Sequence, residues 1–196
     1  MQRAPRIPRT VAEHGGPIVG VDVETACSAH GAVCALGVVV VHRGRVLRES
    51  HWLLDPGTDF DRRFIAIHGI RPEDVRGRPR LRAAWNEVRA FIDDAVGATE
   101  EPMLIAGAAP GVTPLFVAHN AQFDKRQIEA AVGEGLPFRL SCTVAMSRRA
   151  FPALERHNLA TVAAHLRIAL KHHDALSDAR ACALIAHHAI RAGSGA

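Results

Sequence analysis

The run from Pro17 to Val23, "PIVGVDV", is apolar apart from Asp22 and reads as a strand heading into a core. In "AVCALGVVVVHRGRVLRESHWLLD" two β-branched runs flank the Gly-containing turn "HRGR", the pattern of a β-hairpin. The first three strands therefore form a meander. "DFDRRFIAIHGIRPEDVRGRP" is broken by Gly69, Pro72, Gly77 and Pro79 and is expected to be irregular or short-helical. In "LRAAWNEVRAFIDDAV" the residues Leu81, Ala84, Trp85, Val88, Phe91, Ile92 and Val96 share one helical face. A Gly/Ala/Pro-rich loop covers residues 97–113, with an apolar "MLIA" that could form a small extra element. "PLFVAHN" reads as a buried strand. "AQFDKRQIEAAVGEG" reads as a helix with Asn120 as its N-cap. A short strand around "FRLS", helices near 142–150 and 158–167, and a last helix "DALSDARACALIAHHAIRA" complete the chain. The order predicts an α/β fold, a mixed sheet with helices packed on it, in one domain over residues 17–192. Residues 1–16 carry charge and prolines without an apolar stretch and are expected to be a flexible lead-in rather than a signal peptide.

Composition narrows the class. At 48% hydrophobic the chain can bury a core, and with no Tyr and few aromatics that core rests on Ala, Val, Leu and Ile. The formal charge of +4 suits an acidic partner such as nucleic acid, although biased codon composition explains an Arg-rich chain equally well. Cys27, Cys34, Cys142 and Cys182 are scattered without a CxxC pair, which fits a reducing compartment. No apolar run is long enough to span a membrane. The expectation is a cytoplasmic protein.

The chemistry lies in the acids. Asp22 and Glu24 are two apart on a strand and so share a face. Two carboxylates there repel each other and lose solvation unless a metal ion, an arginine or solvent at a strand end relieves them. "VAHNAQFD" ends in Asp124, at a strand-to-helix junction, and "HHDALSDA" carries His173 and Asp178 at the start of the last helix. One sheet and its covering helices can bring all four acids together. Such an oxygen-rich pocket suits two Mg²⁺ or Mn²⁺ ions, which roughly 3.5–4 Å apart clamp the oxygens of a phosphoryl transfer. A histidine at the rim could deprotonate the attacking water. Singly, each acid is equally well a solvated strand end or a first-turn residue favoured by the helix dipole; their co-occurrence is what those readings leave unexplained. His172 is expected to face solvent, His187 and His188 to be surface or packing residues, and the stretch "RPEDVRGRPRLR" to bind phosphate or to be an ordinary solvated loop.

The segments "VDVET", "HNAQFD" and "HDALSD" resemble, in order, the three motifs of the DEDDh 3′–5′ exonucleases, a family that includes the proofreading epsilon subunit of bacterial DNA polymerase III and RNase T-like enzymes. "IHGIRPEDV" and "CTVAMSRRAFP" resemble further family segments, so the likeness runs from about Ile18 to Ile190. The resemblance implies an RNase H-like fold, Asp22, Glu24, Asp124 and Asp178 as ligands of two divalent ions, and His173 as general base. It implies nucleic acid 3′ ends as partner and nucleoside 5′-monophosphates as product. Thr25, His68 and Asn120 match positions near the terminal nucleotide. The segment "TACSAHGAVCALG" lacks the Gly-Leu common in the family, which leaves the substrate open. Single-stranded DNA ends are the first expectation. An exoribonuclease and a catalytically silent nucleic-acid-binding module are the alternatives. A polymerase or repair partner is not evident from the sequence.

Overall fold

The computed structural model describes residues 16–98 and 113–193. Strands β1 (Ile18–Thr25), β2 (Val33–His42) and β3 (Arg45–Leu53) form the expected antiparallel meander. The β2–β3 turn has two residues, Arg43 and Gly44, both at positive φ (51° and 80°), as the tight hairpin turn that matches strand twist requires. Helices α1 (Arg62–His68) and α2 (Leu81–Gly97) follow, then β4 (Leu115–Ala118), α3 (Gln122–Val132) and β5 (Leu140–Cys142). Helices α4 (Thr143–Ala150), α5 (Leu159–His165) and α6 (Ala175–Ala192) end the fold. Strands β4 and β5 run parallel to β1, and the sheet order is β3-β2-β1-β4-β5. The expected lead-in at 1–16, but for Gly16, lies outside the described residues, as does the "MLIA" element and all of the 97–113 loop except its ends. Among the described residues no helix is long and apolar enough to cross a membrane.

Alternation along the strands makes two cores. Val19, Val21 and Val23 of β1, with Leu36, Val38 and Val40 of β2, pack under α2 through Leu81, Trp85, Val88 and Ile92, the face its periodicity marks. On the opposite face Ile18, Val39, Val41, Leu115 and Val117 pack under α6. That helix buries a stripe of alanines, Ala175, Ala179, Ala183 and Ala186, so its backbone comes close to the sheet. Glycines complete the seat. A methyl group added at Gly20 would lie 2.1 Å from the Ala179 carbonyl oxygen, and one at Gly37 would lie 2.1 Å from that of Ala175. Gly37 is the cross-strand partner of Asp22, so the helix is closest to the sheet where the acids are.

The helix starts differ in how they are capped. Asp174 caps α6, its Oδ1 accepting from the Ser177 N–H at 3.1 Å, and Asn158 caps α5, accepting from the Thr161 N–H at 2.9 Å. Asn120 does not cap α3. The cap position is Ala121, without a side-chain hydrogen bond, and Asn120 takes a left-handed backbone (φ 66°) that asparagine tolerates better than most residues. Its carbonyl accepts from the Phe123 N–H at 2.8 Å, which turns the chain from β4 into the helix.

The seat of α6 yields a test. Gly37→Ala sets a methyl against backbone that can move only with the whole helix, so it should cost about 1–3 kcal/mol in denaturant unfolding. Gly97→Ala, at the end of α2 where an added methyl meets nothing, should cost no stability. Equal midpoints for Gly37→Ala and the natural chain would refute the close approach.

Candidate active site

The four acids converge from three elements. Asp22 and Glu24 project from the α6 face of β1, and Asp178 stands in the first turn of α6. One carboxylate oxygen of each of these three lies within 4.8 Å of the others. Asp124, in the first turn of α3, is 2% exposed and approaches along the strand edge. The β1–β4 ladder ends at the pair Gly20–Val117. Val23 lies beyond it, and its N–H donates to Asp124 Oδ1 at 3.3 Å. Between Glu24 and Thr25 the β1–β2 register shifts, leaving Cys34 as an extra residue on β2. Such a bulge bends the strand end at the site.

The pocket resists its own charge. Burial, reinforced by the charges of Asp178 and Asp124, pushes the Glu24 carboxyl up to about 8. Burial likewise raises Asp178 to about 6. Asp22 and Asp124 both stand well above the usual carboxylate range, again chiefly through loss of water. Asp178 Oδ2 accepts from the His173 N–H at 3.0 Å, but its Oδ1 is buried with no hydrogen-bond partner. Carboxylates held together, dry and incompletely satisfied are an oxygen donor set that hard divalent cations fit.

His173 has a left-handed backbone (φ 65°) and an exposed side chain at the rim. Partial burial and the neighbouring His172 hold its imidazole below the usual histidine range, against the pull of Asp178. His172 is exposed, as expected, but it stays at the site. It does not point away: its ring stacks on His173 with centroids 3.9 Å apart, and its Nε2 lies 3.9 Å from Asp178 Oδ2. The left-handed turn at 173 lets two adjacent side chains stack where an extended chain would send them to opposite sides. Beside the pair opens a groove of about 440 Å³, lined among others by His51, His68, Ile70, Arg78, Lys171 and His173.

The residues matched to the terminal nucleotide are differently placed. His68 Nδ1 accepts from the Ile70 N–H at 3.0 Å, which leaves Nε2 to donate to the Thr25 carbonyl at 3.2 Å. Both ring nitrogens are used within the chain, and the ring lines the groove. Thr25 is buried, and Asn120 is exposed beside α3. Sequence reasoning passed over His119. It is pushed down to about 4 chiefly by burial, and its Nδ1 donates to Thr143 Oγ1 at 2.9 Å, while that hydroxyl donates to the Ala118 carbonyl at 3.3 Å. Its place next to Asn120 in "HNAQFD" was the available signal. His51, Arg78 and Lys171 reach the groove from three separate segments, so no local pattern marks them.

A family model for exonucleases (RNase_T) matches residues 19–186, and the chain belongs to that family. It is 28% identical over 168 residues to the PolC-type DNA polymerase III of Halalkalibacterium halodurans, a match covering 82% of this chain and 10% of that protein. It is 26% identical over 140 residues to exodeoxyribonuclease 10 of Escherichia coli K12, covering 71% of this chain and 51% of that protein. The chain thus spans about a tenth of the first relative's length and about half of the second's. Among solved structures, exonuclease X in complex with 5′ overhanging duplex DNA superposes with a TM-score of 0.60 at 22% identity, over 86% of this chain and 87% of that one. The nuclease domain of 3′hExo, a DEDDh family member bound to rAMP, gives 0.63 at 14%, over 88% and 90%. These likenesses show the fold, the RNase H-like α/β architecture expected from the sequence.

The raised carboxyls set a pH dependence. Between the unfolded range near 4 and folded values of about 6 for Asp178 and about 8 for Glu24, the native state binds more protons than the unfolded chain. Stability of the chelated protein should therefore fall as pH rises through that window. Added Mg²⁺ should restore the melting temperature most at the alkaline end, and Glu24→Gln should raise it at pH near 8 without cation. A chelated protein that gains stability across the window would contradict the shared burial.

Proposed function

We propose, with membership of the exonuclease family as the premise, that this chain hydrolyses nucleic acid stepwise from 3′ ends to nucleoside 5′-monophosphates, with single-stranded DNA ends as substrate. The exonuclease unit is residues 17–192, acting in the cytoplasm. The observation that carries the reading is the convergence of four carboxylates, Asp178 with a buried unpartnered oxygen, next to a histidine at the mouth of an open groove.

Asp22, Glu24, Asp124 and Asp178 would hold two divalent cations, Mg²⁺ or Mn²⁺. When bound, these neutralise the pocket, activate water and stabilise charge on the phosphodiester and its leaving oxygen. The chain's own residues do the rest. Asp178 is delivered by α6, whose seat on Gly20 and Gly37 sets how far its carboxylate stands from β1. Asp124 is oriented by the Val23 N–H. The His173 imidazole takes the proton of the attacking water. Its lowered proton affinity keeps it neutral and able to accept near pH 7. Its backbone N–H, held by Asp178, ties the base to the acid cluster. The His68 ring, the rim at Asn120 and the strand end at Thr25 surround the terminal nucleotide. Arg78 and Lys171 bring positive charge to the groove, which suits phosphate.

The deciding assay follows mononucleotide release from end-labelled single- and double-stranded DNA and RNA. Chelation should abolish release from single-stranded DNA, and Mg²⁺ or Mn²⁺ should restore it. A circular strand should resist; its efficient cutting would mean an endonuclease. Faster release from RNA would move the substrate assignment to the exoribonuclease. Separately, His173→Ala should lose roughly 10²–10⁴-fold in rate while His172→Ala stays close to the natural enzyme. Equal losses would remove His173 from its role as base.

A further inference from the structure

The histidine pair before α6 carries chemistry that the hydrolytic reading does not use. His172, His173 and Asp178 each present one ligand atom, and the three lie within 4.8 Å of one another. Two imidazole nitrogens and one carboxylate oxygen are the donor set of open three-ligand zinc sites. They differ from the all-oxygen set that Mg²⁺ prefers. The frame is firm: Asp174 caps the helix, the His173 N–H is pinned to Asp178 Oδ2 at 3.0 Å, and the Lys171 ammonium is drawn to Asp174 at 3.0 Å. Asp178 itself is 4% exposed, and the oxygen 3.9 Å from His172 Nε2 is Oδ2, the one that accepts from the His173 N–H. The His172 side chain is 42% exposed, so an ion can reach it from solvent.

We propose that His172, His173 and Asp178 form a binding site for Zn²⁺ or a similar borderline transition ion. The site is distinct in donor set from the acid cluster and shares only Asp178 with it. Metal–nitrogen bonds of about 2.0–2.1 Å place tetrahedral ligands roughly 3.4 Å apart. The His172 Nε2–Asp178 Oδ2 separation of 3.9 Å closes to that by turning the two rings out of their stack, a rotation about broad terminal torsions. An ion held there occupies both the proposed base and one acid, so it arrests hydrolysis. That consequence rests on the proposed function; the binding itself does not.

The test uses the full chain in excess Mg²⁺. Zn²⁺ affinity is measured by competition with a chromophoric chelator, and Co²⁺ is used as a spectroscopic probe. The natural chain should bind one Zn²⁺ and give the strong visible bands of tetrahedral Co²⁺. His172→Ala and His172→Gln should each lower the affinity at least about tenfold, with the melting temperature of the metal-free protein unchanged. Asp22→Asn, which removes an oxygen from the acid cluster alone, should bind Zn²⁺ as the natural chain does. In the hydrolysis assay His172→Ala should keep its Mg²⁺-supported rate and lose sensitivity to Zn²⁺. Undiminished Zn²⁺ affinity in both His172 variants, or its loss in Asp22→Asn, would place the ion on the acid cluster and overturn the proposal. Were no nucleic acid hydrolysed, the binding measurements would still decide this site, and only the proposed function would fall.

Discussion

The repulsion among carboxylates at the end of β1 is the constraint around which the rest of the chain is arranged. Nothing local favours Asp22 and Glu24 on a strand whose other residues are buried. Asp124 and Asp178 make the pocket worse, since each raises the proton affinity of its neighbours. The fold tolerates the group because the cost is spread over a large apolar structure. Two cores, one on each face of the sheet, hold β1 in place irrespective of the acids. Hydrogen bonds from the Val23 and His173 N–H groups lower part of the burden on Asp124 and Asp178. The balance is what a bound divalent cation would supply.

Much of this was legible in the sequence, and what was not has identifiable causes. The meander, the hairpin turning within "HRGR" and the apolar face of α2 rest on period-2 and period-3.6 patterns that tertiary context did not override. Asp174 was legible as a cap because its partner is three residues away. Asn120 looked like the same signal, but the sharp exit from β4 uses it for a left-handed turn. The spacing of His173 to Asp178 is a distance along the chain and says nothing of where His172 points; only the backbone twist at 173 shows the stacked pair. The basic side chains that line the groove, His51, Arg78 and Lys171, come from β3, the loop after α1 and the approach to α6, three segments whose meeting is a property of topology. His119 is a further case, since its hydrogen bond to Thr143 links β4 to α4 across the intervening helix and strand.

The two faces of the sheet are built differently. Under α2 the filling is large: Trp85, Leu36, Ile92 and Phe116, with Phe116 stacked on Phe138 at 3.7 Å. Under the first turns of α6 it is alanine on glycine. Large side chains tolerate repacking, because rotamers can be exchanged for volume. A backbone carbonyl lying on a glycine has no such freedom. The chain thus keeps its adaptable packing away from the acids and its rigid packing beneath them.

That division shows where the protein can be made sturdier. Filling space is the usual way to harden a domain, and on the α6 side no space exists to fill near Gly20 and Gly37. Any added carbon there would have to be met by sliding an 18-residue helix, and Asp178 would travel with it. Hardening has to come from the rim instead, for instance at the solvent-facing Val46 and Leu47 of β3. Heat tolerance and catalytic geometry can therefore be tuned by separate sets of positions, so a library directed at one need not sample the other.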